Sequence, residues 1–383
     1  SRYHSGLRPE QEARQRNCLT RLADLMQGDP IPKAVLPAPP FAVPSWVRPV
    51  ISPGGSNPLA GGVSSFDVVD VVQADAGSHV VCRMDVEHLL NAAADRNLAV
   101  KIIDNMTAPR PQFAGLAMTA PAIMGILNVT PDSFSDGGQH SAPALAVTAG
   151  KAMVAAGAGI IDIGGESTRP GAAPITRNQE LARVLPPLTG LRQCGAVLSI
   201  DTRHAAVMDR ASAAGAGIIN DVAGLRGEGA LEAASRTGCH VVIMHMQGTP
   251  ETMQDDPQYG FAPVDIYKFL ESRIAAALQA GIPREKISVD PGFGFGKAVH
   301  HNLQLVNWLA MLHGLGVPLL FGASRKSSIA KLASGEPADQ RLPGSLGLAM
   351  AAARQGAQML RVHDVAETAQ ALLIERALLL GVE

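Results

Sequence analysis

From about residue 122 to the C-terminus, short apolar runs alternate with longer Ala- and Leu-rich stretches of helical periodicity. The apolar runs, near 122–127, 159–164, 196–201, 217–221, 240–245, 287–290, 317–322 and 357–361, have the length of buried strands. Helices are predicted to follow at 142–156, 177–193, 203–214, 228–237, 264–280, 300–314, 342–355 and 364–380. Eight such pairs within ~260 residues imply right-handed parallel βαβ units closed into a (β/α)8 TIM barrel, an α/β fold, with a doubly wound open sheet as the alternative. Gly157-Ala-Gly-Ile-Ile-Asp162 reappears as Gly215-Ala-Gly-Ile-Ile-Asn220, as if one helix-to-strand junction had been reused.

Upstream the pattern is weaker. Leu19, Leu22, Leu25 and Met26 predict one short amphipathic helix within residues 1–27, ended by Gly28 and Pro30. Nine prolines between Pro30 and Pro58 predict an extended or irregular connector. Residues 66–72, 79–83 and 98–103 predict strands, with a helix over 85–96. The chain is therefore expected to divide into an N-terminal extension, 1–110, with a small α/β unit, and a barrel, 111–383. The extension carries no recognisable chemistry; packing on the barrel or building an oligomer is its expected use.

Composition narrows the function. The net charge of −2 and pI near 6.6 give no general attraction to nucleic acid or anionic membrane, so any anion must be held by a local site. The four cysteines, Cys18, Cys82, Cys194 and Cys239, lie far apart without metal-ligand spacing, which predicts reduced thiols and a cytoplasmic protein. No apolar run approaches the length of a membrane span, and no signal-peptide core is visible. Because the first residue is Ser1, a removed leader stays compatible with the sequence.

In such a barrel the C-terminal strand ends build the active site. The first strand delivers Asn128, followed by a polar loop rich in Asp, Ser and Gly that contains Phe134 and Asp136. The second delivers Glu166 to Gly171, the third Asp201, the fourth Asn220 and Asp221, the fifth Met244-His245-Met246. The sixth delivers Asp290 to Lys297, the seventh Ser324 to Ser327 and the eighth Arg361-Val362-His363. Asp201, Asn220 and Asp290 together suit a flat heterocycle with several N–H groups. Each has a plainer reading: Asp201-Thr202 is a good helix cap, and Asp290 can hold its own turn. Lys326, Arg361 and His363 gather positive charge after strands seven and eight, the common phosphate position of this fold. The plainer readings there are a solvated helix start and a surface histidine. Met244, Phe293 and Phe295 could belong to the core, and Phe293 is expected to.

The chain closely resembles the dihydropteroate synthases, pterin-binding enzymes, over about 120–383. The motifs are Leu127-Asn-Val-Thr-Pro-Asp-Ser-Phe-Ser-Asp-Gly-Gly138, Asp162-Ile-Gly-Gly-Glu-Ser-Thr-Arg-Pro-Gly171, Ser199-Ile-Asp-Thr202, Met244-His-Met-Gln-Gly248, Asp290-Pro-Gly-Phe-Gly-Phe-Gly-Lys297, Ser324-Arg-Lys-Ser327 and Arg361-Val-His-Asp364. The resemblance implies condensation of 6-hydroxymethyl-7,8-dihydropterin diphosphate with p-aminobenzoate, diphosphate being released. It places Asp201, Asn220, Asp290 and Lys326 around the pterin, with Met244 as an apolar wall and Arg361 against the ring face. Asn128 would contact Mg2+, with Asp136 supporting the metal through water. Thr168, Arg361 and His363 would meet the diphosphate, and Phe134, Arg169, Pro170, Phe295 and Ser327 the p-aminobenzoate. The expected catalytic set is Asp136, Arg169, Lys326, Arg361 and His363.

The expected mechanism is Mg-assisted dissociative loss of diphosphate, for which the sequence supplies no covalent nucleophile and needs none. Loops 129–139 and 167–176, furnished with Gly and Pro, are expected to close over the site. The resemblance also implies a sulfonamide target and a homodimer. The competing readings are a pterin-dependent methyltransferase, which would not need the p-aminobenzoate loops, and a pterin-binding protein without catalysis.

Overall fold

The computed structural model describes residues 33–34, 46–75, 78–130, 142–167 and 172–380. The predicted helix within 1–27 and the site residues Phe134, Asp136, Thr168, Arg169 and Pro170 lie outside the described residues.

Eight parallel strands form one sheet: β6 (Ala122–Asn128), β7 (Ile160–Gly164), β8 (Val197–Asp201), β9 (Ile218–Asp221), β10 (His240–Met244), β11 (Ile287–Asp290), β12 (Leu320–Phe321) and β13 (Met359–Val362). Their order, β11-β10-β9-β8-β7-β6-β13-β12, follows the chain around a ring. The ring closes through a single parallel bridge, Val289 to Leu319, where the amide of Val289 donates to the carbonyl of Pro318 at 3.0 Å. Pro318 has no N–H for a ladder, so β12 is shorter than the expected 317–322. This is the barrel the alternation predicts.

The two-residue period of each strand sorts its side chains. Outward, Ile161, Ile163, Ile200, Ile219, Val241, Ile243 and Val289 pack under the surrounding helices in one large core. Inward, Met124, Ile160, Ile218, Val242, Leu320 and Met359 fill the lower barrel, and Phe113 and Met118 plug it from below. Above that apolar layer the inward positions turn polar.

The N-terminal segment forms a second sheet, ordered β1-β5-β4-β2, from β1 (Lys33–Ala34), β2 (Trp46–Ile51), β4 (Ser65–Asp75) and β5 (Ser78–Asp85), with β3 (Asn57–Pro58) beside β4. Two expectations fail here. The proline-rich connector contains β2, which tolerates Pro49 because it pairs on one side only, with β4. Residues 98–103 are helical, within Arg96–Thr107: Asp95 caps Leu98 N at 3.0 Å, and burial of Ala99, Ile103 and Met106 has helical spacing. The β-branched Val100, Ile102 and Ile103 misled the strand assignment.

This sheet lies against the barrel's outer helices. Val72 and Val81 pack with Phe261, Val264, Trp308 and Met311. Arg48 stacks 4.1 Å from the Trp308 ring centroid and donates to Asn307 O at 2.9 Å. Arg110, buried and without a carboxylate partner among the described residues, donates to Ala108 O and His313 O, both at 3.0 Å. Those carbonyls lie at the C-terminal ends of one helix from each unit, where a cation is favoured. Burial lowers the Arg110 pKa to about 10, which leaves it charged at neutral pH. Arg110→Ala is expected to lower stability by ~2–4 kcal/mol, since two charge-assisted bonds and their packing are lost together. Urea unfolding checks this, and an unchanged midpoint would show that the junction does not depend on Arg110.

Candidate active site

The polar layer begins with Asp162, which is fully buried and accepts three hydrogen bonds. Ser199 Oγ donates at 2.6 Å, Asn220 Nδ2 at 3.0 Å and Arg361 Nε at 2.7 Å. Arg361 Nη2 donates to Asp201 Oδ2 at 2.8 Å. Five residues from β7, β8, β9 and β13 thus form one network inside the barrel. Burial works against the Arg361 charge, but Asp162 and Asp201 outweigh it and raise its pKa, so Arg361 is a permanent cation.

Above the network stand the other predicted pterin residues. Asp201 is pushed up to about 7 by burial and by the carboxylates of Asp162, Glu180 and Asp221, against the pull of Arg361. Asp201 does not cap a helix: the following helix, Ala205–Ala214, has His204 at its cap and no side-chain cap bond. Asp290 is pushed up to about 6 by burial, opposed by the Gly292 amide and by Lys326, Arg361 and Lys297. The plainer reading of Asp290 is also true, because its Oδ1 accepts from Gly292 N at 2.7 Å. Asp221 has the opposite parity and serves its own loop, accepting from Ala223 N and Leu225 N.

Met244 lies in an apolar cluster with Val222, Met246, Met253 and Phe295. Phe293 is core, edge-on to Phe321 at 5.7 Å between ring centroids. Lys326 Nζ sits 3.7 Å from the Phe295 ring centroid, and burial and Arg361 lower its pKa to about 7. It is therefore no solvated helix start. Its orientation depends on Arg325, a non-glycine residue at φ +59, whose guanidinium pairs with Asp364 while its amide donates to Ser345 Oγ at 2.9 Å. A left-handed arginine held from two sides is the kind of strain that persists at functional sites. Ser327 follows, exposed at the start of the helix Ser327–Leu332.

His363 corrects one expectation. Its Nδ1 is 3.0 Å from Ser324 Oγ, and burial, with Arg361 and Arg325 nearby, lowers its pKa to about 3. It is neutral here and offers a hydrogen bond, not charge.

Asn128 ends β6 opposite Gly164. A Cβ at Gly164 would lie 3.5 Å from Asn128 Oδ1 and 3.6 Å from Asp201 Oδ2, so the glycine keeps open the space between them. Among the described residues no group of three His, Cys, Asp or Glu could hold a metal. One amide oxygen beside an anion site fits Mg2+, which takes few protein ligands and completes its shell with phosphate oxygens and water. It does not fit a metal centre built by the protein alone.

The sequence reading missed the centrality of Asp162. The signal was present: Asp162 is the equivalent of Asn220 in the internal repeat, and the two side chains are bonded to each other. Lys297, named in the sequence only as the end of the sixth loop and given no role, is buried under that loop, which no periodicity could have revealed.

A parallel (β/α)8 barrel whose mouth joins buried acceptors to fixed cations has the groups to hold a heterocycle and an anion together. Residues 124–363 match the pterin binding enzyme family. Dihydropteroate synthase of Escherichia coli strain K12 is 48% identical over 269 residues, which cover 70% of this chain and 95% of that protein. The Neisseria meningitidis serogroup B enzyme is 45% identical over 271 residues, 69% of this chain and 94% of that one. Among solved structures, Yersinia pestis dihydropteroate synthase in a sulfonamide drug complex superposes with TM-score 0.67 at 48% identity, covering 71% of this chain and 99% of that one. The Xanthomonas albilineans enzyme in complex with 7,8-dihydropteroate gives 0.65 at 44%, covering 72% and 100%. The chain belongs to the dihydropteroate synthase family of pterin-binding transferases.

The elevated Asp290 pKa has a consequence for stability. Between its ordinary value of 3.8 and about 6, the folded protein holds a proton that the unfolded chain releases, so stability falls as pH rises through that window. Asp290→Asn carries no such proton. It is expected to exceed the wild type by ~1–3 kcal/mol above pH 7, with the gain fading towards pH 4, while pterin affinity drops. Urea titrations across this range check the first part and calorimetry the second.

Proposed function

We propose that the protein condenses 6-hydroxymethyl-7,8-dihydropterin diphosphate with p-aminobenzoate to give 7,8-dihydropteroate and diphosphate. The observation that carries this reading is the meeting, in one barrel mouth, of the acceptors Asp201, Asn220 and Asp290 with Arg361 and Lys326. A dihydropterin presents ring and amino N–H groups to such acceptors. Met244 and Phe295 supply apolar surface beside it. Xanthomonas albilineans family members were solved with 4-aminobenzoic acid and with 7,8-dihydropteroate, which supports the same second substrate and product here.

In the reaction the bond between the pterin methylene and diphosphate breaks, its electron pair leaving with the diphosphate. The positive charge left on the methylene spreads into the ring. The arylamine nitrogen then forms the new C–N bond and loses a proton. Arg361, fixed by two carboxylates, needs no reorganisation to stabilise the leaving anion. His363 contributes a hydrogen-bond donor, its orientation set by Ser324. Asn128 would hold Mg2+, whose charge would further neutralise the leaving diphosphate. Thr168 and Asp136 are proposed for the diphosphate and metal side, and Phe134, Arg169, Pro170, Phe295 and Ser327 for p-aminobenzoate.

A homodimer is proposed, and Leu373, Ile374 and Leu378, exposed at 70, 61 and 71%, support it as a face for the second copy beside a groove of about 340 Å3. No helix among the described residues is long and apolar enough to cross a membrane. Among the described residues Cys82, Cys194 and Cys239 are free thiols; a cytoplasmic location is proposed.

Mixing the protein with both substrates and Mg2+ is expected to release diphosphate in step with dihydropteroate. Pterin diphosphate that binds without either product forming would leave the non-catalytic alternative standing. Lys326→Ala is expected to weaken pterin binding ~10- to 100-fold, as loss of a charge-assisted contact implies. Equal affinity in calorimetry would remove Lys326 from the pterin site. Ile374→Glu with Leu378→Glu is expected to halve the mass seen by sedimentation, and an unchanged mass would move the dimer contact elsewhere.

A further inference from the structure

The loop after β11, from Asp290 to Lys297, has to present two unlike groups: the Asp290 carboxylate and the Phe295 ring. Three glycines make the loop, each at positive φ. Two of them are forced by contact as well: a Cβ at Gly292 would lie 1.9 Å from His245 O, and one at Gly296 2.5 Å from Gln247 O. A glycine-rich loop has high conformational entropy, so its shape must be imposed from outside.

Its carbonyls show what imposes it. Lys297 Nζ donates to Gly292 O at 2.8 Å, to Phe295 O at 2.9 Å and to His245 Nδ1 at 2.9 Å. All three ammonium donors are thereby used. His245 is held neutral by burial and by the Lys297 charge, so its Nδ1 can accept, and its own amide donates to Asp290 O at 2.9 Å. Tyr259 Oη donates to Gly296 O at 2.6 Å and Gln254 Nε2 to Gly294 O at 3.1 Å. Lys297 is only 2% exposed, and its ammonium is spent on two loop carbonyls and His245.

We propose that Lys297 is a positioning residue for both substrates: its ammonium fixes Gly292, and through it Asp290, and fixes Phe295, so that one buried side chain holds the pterin anchor and the aromatic wall in register. The proposal rests on the assignment of Asp290 to the pterin and Phe295 to p-aminobenzoate made above. Lys297 touches neither substrate. Burial lowers its pKa to about 7, and Asp290 resists that shift, which ties the two charges together across the loop. The diphosphate groups, Arg361 and His363, hang from β13 and share no bond with Lys297, so they provide an internal control.

The test compares Lys297→Met, which keeps the chain length and removes the donors, with Lys297→Gln, which retains a shorter donor. Melting temperature is read beside each. Lys297→Met is expected to raise the KM for p-aminobenzoate and the Kd for 6-hydroxymethylpterin at least ~10-fold each, the scale of a lost charge-assisted bond, with inorganic diphosphate and Mg2+ binding as in the wild type. Lys297→Gln should fall between. Unchanged KM and Kd in Lys297→Met overturn the proposal. A parallel loss of diphosphate affinity also overturns it, because that marks collapse of the whole mouth. If Lys297→Met does not fold, Lys297→Gln decides: values equal to the wild type overturn the proposal, and a rise in both with diphosphate binding intact supports it. Wild-type protein that binds neither 6-hydroxymethylpterin nor diphosphate would instead refute the proposed function, before any variant is compared.

Discussion

The buried contact between Asp162 and Arg361 is what the rest of the site depends on. Burying two charges is costly, and such a pair is tolerable when its geometry is good and further hydrogen bonds support both partners. Asp162 accepts from Ser199, Asn220 and Arg361, and Arg361 spends two of its five N–H groups on Asp162 and Asp201. The contact crosses the barrel interior, passing over β6 between β7 and β13. Its residues therefore cannot move without moving strands that are locked to their neighbours on both sides. Asn220 must spend its amide N–H on Asp162, which leaves its carbonyl for a ligand. Arg361 must point where the carboxylates hold it.

Much of this was legible in the sequence because barrel strands obey a two-residue period. The strand ends named Asp201, Asn220, Asp290 and Arg361 from the sequence, and the two-residue period seen in the structure turns these four inward while Asp221, named beside Asn220, turns outward to its own loop. The internal repeat even encoded the Asp162–Asn220 bond. What was not legible depends on chain segments meeting without any period: Lys297 reaching His245, Arg325 turning left-handed against Asp364, and Pro318 shortening β12. His363 failed for another reason. A histidine among cations looks positive in sequence, but burial and those same cations suppress its protonation. In the extension, local propensity misassigned 98–103, where an aspartate cap and burial at helical spacing prevailed over β-branched residues.

The mouth also balances charge in a way that favours a ligand with two unlike ends. Asp201 and Lys326 both titrate near 7, the first raised and the second lowered by the same burial. A heterocycle that donates N–H to Asp201 and Asp290 stabilises their ionised state. Each carboxylate so ionised favours the ammonium of Lys326, since both act on it in that direction. The added negative charge of a diphosphate near Arg361 favours that ammonium further. Charges favoured by a ligand in one half would favour those the other half needs, by linkage of proton and ligand binding. A ligand carrying the heterocycle and the anion on one molecule would meet both halves at once.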